Sequence, residues 1–246
     1  MSRYSENPIL WEVKNHVIYI QINRPDRENC LNCRDSEELA RVYQYASDHP
    51  EIRVIAVTGS DGYFHTGGRL NSEDPEEKER FSRALRTRNQ IIHNFRIPLI
   101  AAVNGTCLGG GMSLLLHADM AFAAESAWFG YPEILRGSFP VMSMVATMPV
   151  LPKKKALEAF YSGRSFTARE ALDMGLVNQV VPDGSLDETV LCFAEKLASL
   201  PTQWVQEGRA MYYHLLDMTP LERAVYLEET GAGLACEIKN REEQTI

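Results

Sequence analysis

One stretch limits what this chain can fold into more than any other: Ile97-Pro98-Leu99-Ile100-Ala101-Ala102-Val103-Asn104-Gly105-Thr106-Cys107-Leu108-Gly109-Gly110-Gly111-Met112. Its first half is a continuous apolar run bounded by Pro98 and Asn104-Gly105, which reads as a strand covered on both faces. Three glycines then let the backbone pass close to another part of the molecule. Met112-Ser113-Leu114-Leu115-Leu116-His117-Ala118 continues as an apolar helix. A strand, a glycine turn and a helix start together present unpaired N–H groups and a partial positive charge. Such a place holds an oxygen carrying negative charge, either a phosphate or an enolate.

The signatures of nucleotide phosphate binding are missing. A phosphate-binding loop needs Gly-Lys-Ser/Thr, and the chain offers Gly111-Met112-Ser113. The glycine spacing of a dinucleotide fold is absent too, and Ser113 does not sit in a G-x-S-x-G elbow. A net charge of −8, with Lys153-Lys154-Lys155 as the one basic block, argues against nucleic acid as a partner. No apolar run approaches the roughly 20 residues of a membrane helix, and the N-terminal residues lack the apolar core of a secretory signal. The expectation is a cytoplasmic protein without membrane contact. Five cysteines, with Cys30 and Cys33 in C-x-x-C spacing but no second pair and no histidine nearby, suggest neither a disulfide framework nor a metal site.

The chain reads as α/β with a mainly parallel core. Residues 9–22 alternate and break at Lys14-Asn15-His16, as a hairpin does. The polar stretch 24–29 is a loop. A helix over 36–47 places Leu39, Val42, Tyr43 and Ala46 on one face, with Ser36 as its cap. Residues 53–59 and 118–124 are short apolar strands. Residues 71–80 are an acidic surface segment, and 79–95 form a helix. Beyond Gly163 the chain reads as mostly helical. Strands alternating with helices, then a helical third, suggest one domain with a core over 1–190 and a helical extension over 191–246.

Two further segments carry candidate chemistry. Tyr63-Phe64-His65-Thr66-Gly67-Gly68-Arg69-Leu70 follows a predicted strand. Phe129-Gly130-Tyr131-Pro132-Glu133-Ile134-Leu135-Arg136-Gly137 sets one carboxylate among apolar neighbours. Partial burial would raise the pKa of Glu133 toward the working pH of a proton-transfer group.

Together these segments resemble the crotonase, or enoyl-CoA hydratase/isomerase, superfamily. The resemblance runs from Ile22-Asn23-Arg24-Pro25 and Asn29-Cys30-Leu31-Asn32 through 64–70, 97–119 and Pro132-Glu133-Ile134. It continues through Ser162-Gly163-Arg164, 168–172 and 175–182. It implies a spiral of ββα units with a helical C-terminal region, assembled as a homotrimer or a hexamer of two trimers. The chemistry it implies is binding of an acyl thioester and stabilisation of its enolate. No cofactor is implied beyond the coenzyme A of the substrate, and no metal.

By motif position, the resemblance assigns the oxyanion-hole donors to the N–H groups of Gly68 and Gly110. It puts coenzyme A binding on the Arg27–Cys30 loop, including Glu28 and Cys30, and on Thr66. Arg27 and Arg69 are candidates for the coenzyme phosphates. Hydratases resembling this chain use two glutamates, of which Glu133 matches one and Ser113 stands in place of the other. Addition of water calls for two carboxylates around it, whereas one carboxylate suffices to carry a proton from carbon to carbon.

The expectation is therefore an enoyl-CoA double-bond isomerase with Glu133 as its base. His65 and Ser113 are possible secondary groups, although a packed role is the commoner one for His65. His117 reads as a satisfied core histidine. The bulky residues of 138–144 suggest a narrow, dry acyl pocket. Other readings are an enoyl-CoA hydratase, a decarboxylase or isomerase acting on a carrier-protein thioester in polyketide assembly, and a catalytically weak binding or assembly protein of the same fold.

Overall fold

The computed structural model describes residues 7–68 and 74–230. The chain opens with the hairpin β1 (Ile9–Lys14) and β2 (Val17–Ile22), then α1 (Cys33–Asp48), β3 (Val54–Thr58), β4 (Tyr63–His65) and α2 (Pro75–His93). Next come β5 (Leu99–Val103), β6 (Thr106–Leu108), α3 (Gly110–His117), β7 (Met120–Ala124) and β8 (Trp128–Gly130). They are followed by α4 (Val141–Thr147), α5 (Lys153–Ser162), β9 (Ser165–Thr167), α6 (Ala168–Asp173), β10 (Gln179–Val181), α7 (Leu186–Ala198) and α8 (Thr202–Leu216). The fold is the mixed α/β expected.

One sheet has the order β1-β2-β3-β5-β7-β10, parallel from β2 onward with β1 antiparallel at its edge. Its central strands β3, β5 and β7 are almost wholly apolar because both their faces are covered, whereas the edge strand β1 is mostly exposed. Ile55, Val57, Leu99, Ala101, Val103, Ala121 and Ala123 belong to the main core with Leu39, Tyr43 and Leu115. Their alternate neighbours, Val54, Ala56, Ile100, Ala102, Phe122 and Ala124, face Leu186, Val190, Ala194 and Ala198 of α7. The alternation of strand side chains between two faces accounts for this division.

The second sheet, β4-β6-β8-β9, was not visible in the sequence. Its strands span three residues each, too short for periodicity to register. β4, β6 and β8 run parallel, while β9 is antiparallel. Beyond Gly163 the described chain is mostly helical, as expected, with β9 and β10 as two three-residue strands within it. α2 begins at Pro75, capped by the side chain of Asp74, so the expected surface segment is helical from there on; residues 71–73 lie outside the described residues.

α1 buries Leu39, Val42, Tyr43 and Ala46 as expected, but its cap is Asn32. The Asn32 side chain accepts from the Asp35 N–H at 2.9 Å, and Asp35 Oδ2 accepts from the Asn32 N–H at 3.1 Å. This reciprocal pair leaves Ser36 inside the helix and buried. Asp35, 1% exposed, also receives Arg27 Nη2 at 2.6 Å and Arg24 Nε at 3.4 Å.

Just before it, Asn29 is fully buried with φ +54°, a left-handed conformation that asparagine tolerates. Its Oδ1 accepts from the Arg24 N–H at 2.7 Å and from the Ser60 hydroxyl at 3.2 Å. Its Nδ2 donates to Ser60 O at 3.2 Å and Tyr63 O at 2.6 Å. One side chain thus ties the 24–31 loop to the entry of β4.

The chain divides into two compact units, 1–202 and 203–246. In the second, Arg209 lies 4.6 Å from the Tyr213 ring centroid, and His214 meets Tyr226 edge-on at 5.1 Å. Among the described residues no helix is long and apolar enough to cross a membrane.

Replacing Asn29 by Ala removes four buried hydrogen bonds, and the expected loss of stability is about 3 kcal/mol, seen as a lower urea midpoint. Asn29→Asp keeps the shape but sets a carboxylate against the carbonyls of Ser60 and Tyr63, and is expected to cost at least as much.

Candidate functional site

The parallel strands β4, β6 and β8 end side by side, and each delivers one candidate residue just past its carboxyl end. Gly67-Gly68 follows β4, Gly109-Gly110 follows β6, and Tyr131-Pro132-Glu133 follows β8. Segments far apart in sequence converge because parallel neighbours point the same way, which makes such sheet ends common places for ligands.

The glycines allow the closest of these approaches. A Cβ on Gly111 would stand 1.8 Å from the carbonyl oxygen of His65, and one on Gly110 would stand 3.0 Å from the Gly67 Cα. Gly109 has φ +54°, and its missing Cβ would meet Glu133 Oε1 at 2.8 Å. The carboxylate of Glu133 therefore lies against the glycine turn itself.

The N–H groups of Gly68 and Gly110 lie on facing segments of this turn. Gly110 begins α3, where an N–H has no helical partner. The neighbouring amides are engaged. Gly109 N–H donates to Gly130 O at 3.0 Å, and Leu31 N–H donates to Gly67 O at 3.0 Å. Beside Gly68, the ring of Phe81 occupies the place that a Cβ would take.

Glu133 sits in the 3-10 turn Pro132–Arg136, half-buried. Its Oε2 is buried without a hydrogen-bond partner. Burial pushes its pKa above the ordinary carboxylate range, against smaller opposing effects of its own N–H and of Arg136. A chain of hydroxyls fixes the turn. Tyr131 OH lies 2.8 Å from Thr147 Oγ1, Thr147 donates to Ser143 O at 2.6 Å, and Ser143 donates to Gly109 O at 2.8 Å. α4 thus links the Glu133 turn to the glycine turn through its polar residues.

The bulky residues of 138–144 divide between surface and core. Val141 and Met142 are more than half exposed, and from that segment Phe139 and Met144 are the residues packed on the core. A helix turns its apolar residues to different sides, which a count of bulky residues does not reveal.

His65 is 2% exposed, and its Nδ1 lies 2.8 Å from Asn29 O. A carbonyl can only accept, so Nδ1 carries the proton there and cannot also accept from the Gly67 N–H at 3.4 Å. Burial pulls its pKa down to about 4, against the raising effect of the Asn29 carbonyl. His65 is thus a neutral, packed histidine that holds the loop. His117 is similar, with Nδ1 on Ser113 O at 2.6 Å and a pKa lowered by burial. Ser113 itself is buried in α3, one turn beyond Gly109.

The residues expected to meet coenzyme A are brought together in part. Thr66 Oγ1 donates to Glu28 O at 2.8 Å, and Cys30 N–H donates to Arg27 O at 3.0 Å. Arg27 is engaged with the buried Asp35, a partner its sequence position gave no reason to expect. Arg69 lies outside the described residues.

His65 should also leave a mark on stability. The unfolded chain takes up a proton near pH 6.5, whereas the folded chain refuses it down to about 4. Stability conferred by the neutral ring is complete above pH 6.5 and is lost as the pH falls through that window, on the order of 3 kcal/mol. Urea titrations from pH 7 to 4 should show this slope, and His65→Asn, which keeps a donor near Nδ1, should flatten it.

Comparison with known proteins gives the family and the fold. The sequence profile of the enoyl-CoA hydratase/isomerase family matches residues 12–240. The chain is 30% identical to (E)-benzylidenesuccinyl-CoA hydratase of Thauera aromatica over 96% of its own length and 93% of that protein's. It is 34% identical to 2,3-dehydroadipyl-CoA hydratase of Escherichia coli over 75% and 73%. Among solved structures, the enoyl-CoA hydratase of Bacillus anthracis superposes with a TM-score of 0.88 at 28% identity, covering 97% of this chain and 94% of that one. Human enoyl-CoA hydratase domain-containing protein 3 gives 0.84 at 28%, covering 91% and 89%. The chain belongs to the enoyl-CoA hydratase/isomerase family of the crotonase superfamily.

Proposed function

We propose that this chain shifts the double bond of an enoyl-CoA thioester, with Glu133 carrying the proton. The N–H groups of Gly68 and Gly110 receive the thioester oxygen as it becomes an enolate. Each such donor is typically worth about 3 kcal/mol in the transition state. The observation that carries this reading is the position of Glu133: its carboxylate lies against Gly109, with one oxygen buried and unpartnered. In its ionised form it removes a proton from the carbon beside the thioester, and the resulting acid returns that proton further along the chain. The 27–30 loop and Thr66 are proposed to meet the coenzyme. Arg27 would have to share its guanidinium with Asp35 to touch a phosphate.

The preference for isomerisation rests on Ser113. A neutral hydroxyl is not a base near pH 7, and it is too short to grip water as a glutamate does. The second reading is hydration, favoured by the names of the relatives, which include hydratases of two different acyl-CoA thioesters. Action on a carrier-protein thioester, a trimeric or hexameric assembly and a cytoplasmic location stand as further proposals.

Glu133→Gln is expected to lower kcat by about 10² to 10⁴ while leaving binding of a saturated acyl-CoA in place. Because the active form is the carboxylate, kcat/KM of the parent should rise with pH through a value above the ordinary carboxylate range, and this limb should vanish in the variant. Unchanged turnover would remove Glu133 from the mechanism.

Steady-state rates on 3-enoyl-CoA and 2-enoyl-CoA test the preference directly. The parent should isomerise better than it hydrates, and Ser113→Glu should raise hydration. Hydration by the parent at about 10⁴ M⁻¹s⁻¹ or faster would decide for the second reading.

A further inference from the structure

Helix α2 carries several arginines, and one of them is out of place. Arg80 and Arg86 are exposed and pair with Glu37 and Glu79. Arg88 is 3% exposed and pairs with no carboxylate among the described residues. Its Nε and Nη2 reach the uncharged Oδ1 of the adjacent Asn89 at 3.3 and 3.1 Å, and Nη1 is buried with no partner. Burial of a cation without a counter-ion is among the costliest arrangements a protein can hold.

Among the described residues the surroundings supply more donors and no anion. Arg88 acts electrostatically on Tyr43, His65 and His117, and both histidines are held neutral by burial. Tyr43 is fully buried, and its hydroxyl also lacks a partner. Two buried donors from α1 and α2 thus stand unsatisfied, one charged, and neither reaches the other. What is missing is an acceptor with negative charge.

Position says where that acceptor would come from. Phe81, Ala84, Arg88 and Ile92 recur at helical spacing, and Ala84, Arg88 and Ile92 are buried. Phe81, at the head of this stripe, covers Gly68, and Arg88 lies two turns further, roughly 10 Å along the axis. His65, on which Arg88 acts, lies under the glycine turn with its carbonyl against Gly111. A molecule held at Gly68 by its thioester oxygen has its acyl chain to place, and the length of α2 from Phe81 to Arg88 is one that such a chain can span.

We propose that Arg88, with the hydroxyl of Tyr43, receives a carboxylate at the far end of the acyl group, so that the substrate is the coenzyme A thioester of a dicarboxylic acid. This rests on the reading that Gly68 and Gly110 hold a thioester. The guanidinium offers Nη1 to one carboxylate oxygen, the phenol offers its proton to the other, and the buried charge is neutralised when substrate binds.

Calorimetric binding of two unreactive ligands of equal chain length tests it: a saturated acyl-CoA ending in methyl and one ending in carboxylate. The carboxylated ligand should bind about 10²-fold tighter to the parent. That ratio should fall to near one in Arg88→Met and by about tenfold in Tyr43→Phe. If Arg88→Met does not fold, Arg88→Lys, which keeps the charge but loses the planar fork, should lower the ratio by an intermediate factor. The same ratio read as kcat/KM on the corresponding enoyl-CoA pair should move in parallel. Equal binding of both ligands by the parent overturns the role of Arg88 and leaves the thioester reading intact. Binding of neither overturns the thioester reading, and this inference with it. A ratio unchanged in Arg88→Met or Tyr43→Phe assigns those side chains to the scaffold and overturns the proposal.

Discussion

Everything at the site depends on two stretches of backbone lying closer together than side chains permit. The carbonyl of His65 stands where a Cβ of Gly111 would be, and Gly67 crowds the place where a Cβ of Gly110 would be. That contact exists because β4 and β6 are parallel neighbours that end together, so that the peptides leaving them face one another. It brings the amides of Gly68 and Gly110 to one place at the start of a helix, where the proposed function needs them. Glu133 joins them because β8 is the next parallel strand, and its turn is clamped to Gly109 through Thr147 and Ser143.

A second layer of buried polar groups keeps this approach in register. Asn29 stitches the loop before α1 to the entry of β4, and His65 reaches back to the Asn29 carbonyl from the strand's end. Asp35 gathers Arg24, Arg27 and the Asn32 amide at the other side of the same loop. Asn29, His65 and Asp35 are buried and hydrogen-bonded, so their removal leaves stranded donors and acceptors rather than merely fewer contacts. Arg88 is distinguished by its charge: its guanidinium is buried without a carboxylate among the described residues, beside the unpartnered hydroxyl of Tyr43.

The contrast between Glu133 and Ser113 bears on the chemistry in the same physical terms. A carboxylate half out of water, with one oxygen unpartnered, binds a proton more tightly than an exposed one, which suits a group that takes and returns one proton. A buried hydroxyl at the other position contributes shape and a hydrogen bond but no charge. The family relationship sets the chain among enoyl-CoA hydratase/isomerase proteins, and the proposed reaction turns on these two side chains.

The sequence by itself determined the apolar strands at 54–58 and 99–103, the buried face of α1, the glycine turn into α3 and the identity of Glu133 as the carboxylate to watch. Each is a local property, expressed as an apolar run, a helical period or a residue that only tight backbone contact explains. Tertiary structure decided the rest. The three-residue strands β4, β6 and β8 exist because neighbours pair with them, so no period announces them. Asn32 caps α1 in place of Ser36 because Asp35 completes a reciprocal pair. Val141 and Met142 turn outward while Ser143 turns inward, which composition cannot distinguish. Arg88 lies in a helix so rich in charge that its sequence reads as solvated, and only packing against α1 and α3 takes its guanidinium out of water. Burial is a property of the assembled chain: a residue's own neighbours in sequence do not say which of several like charges will lose its solvent.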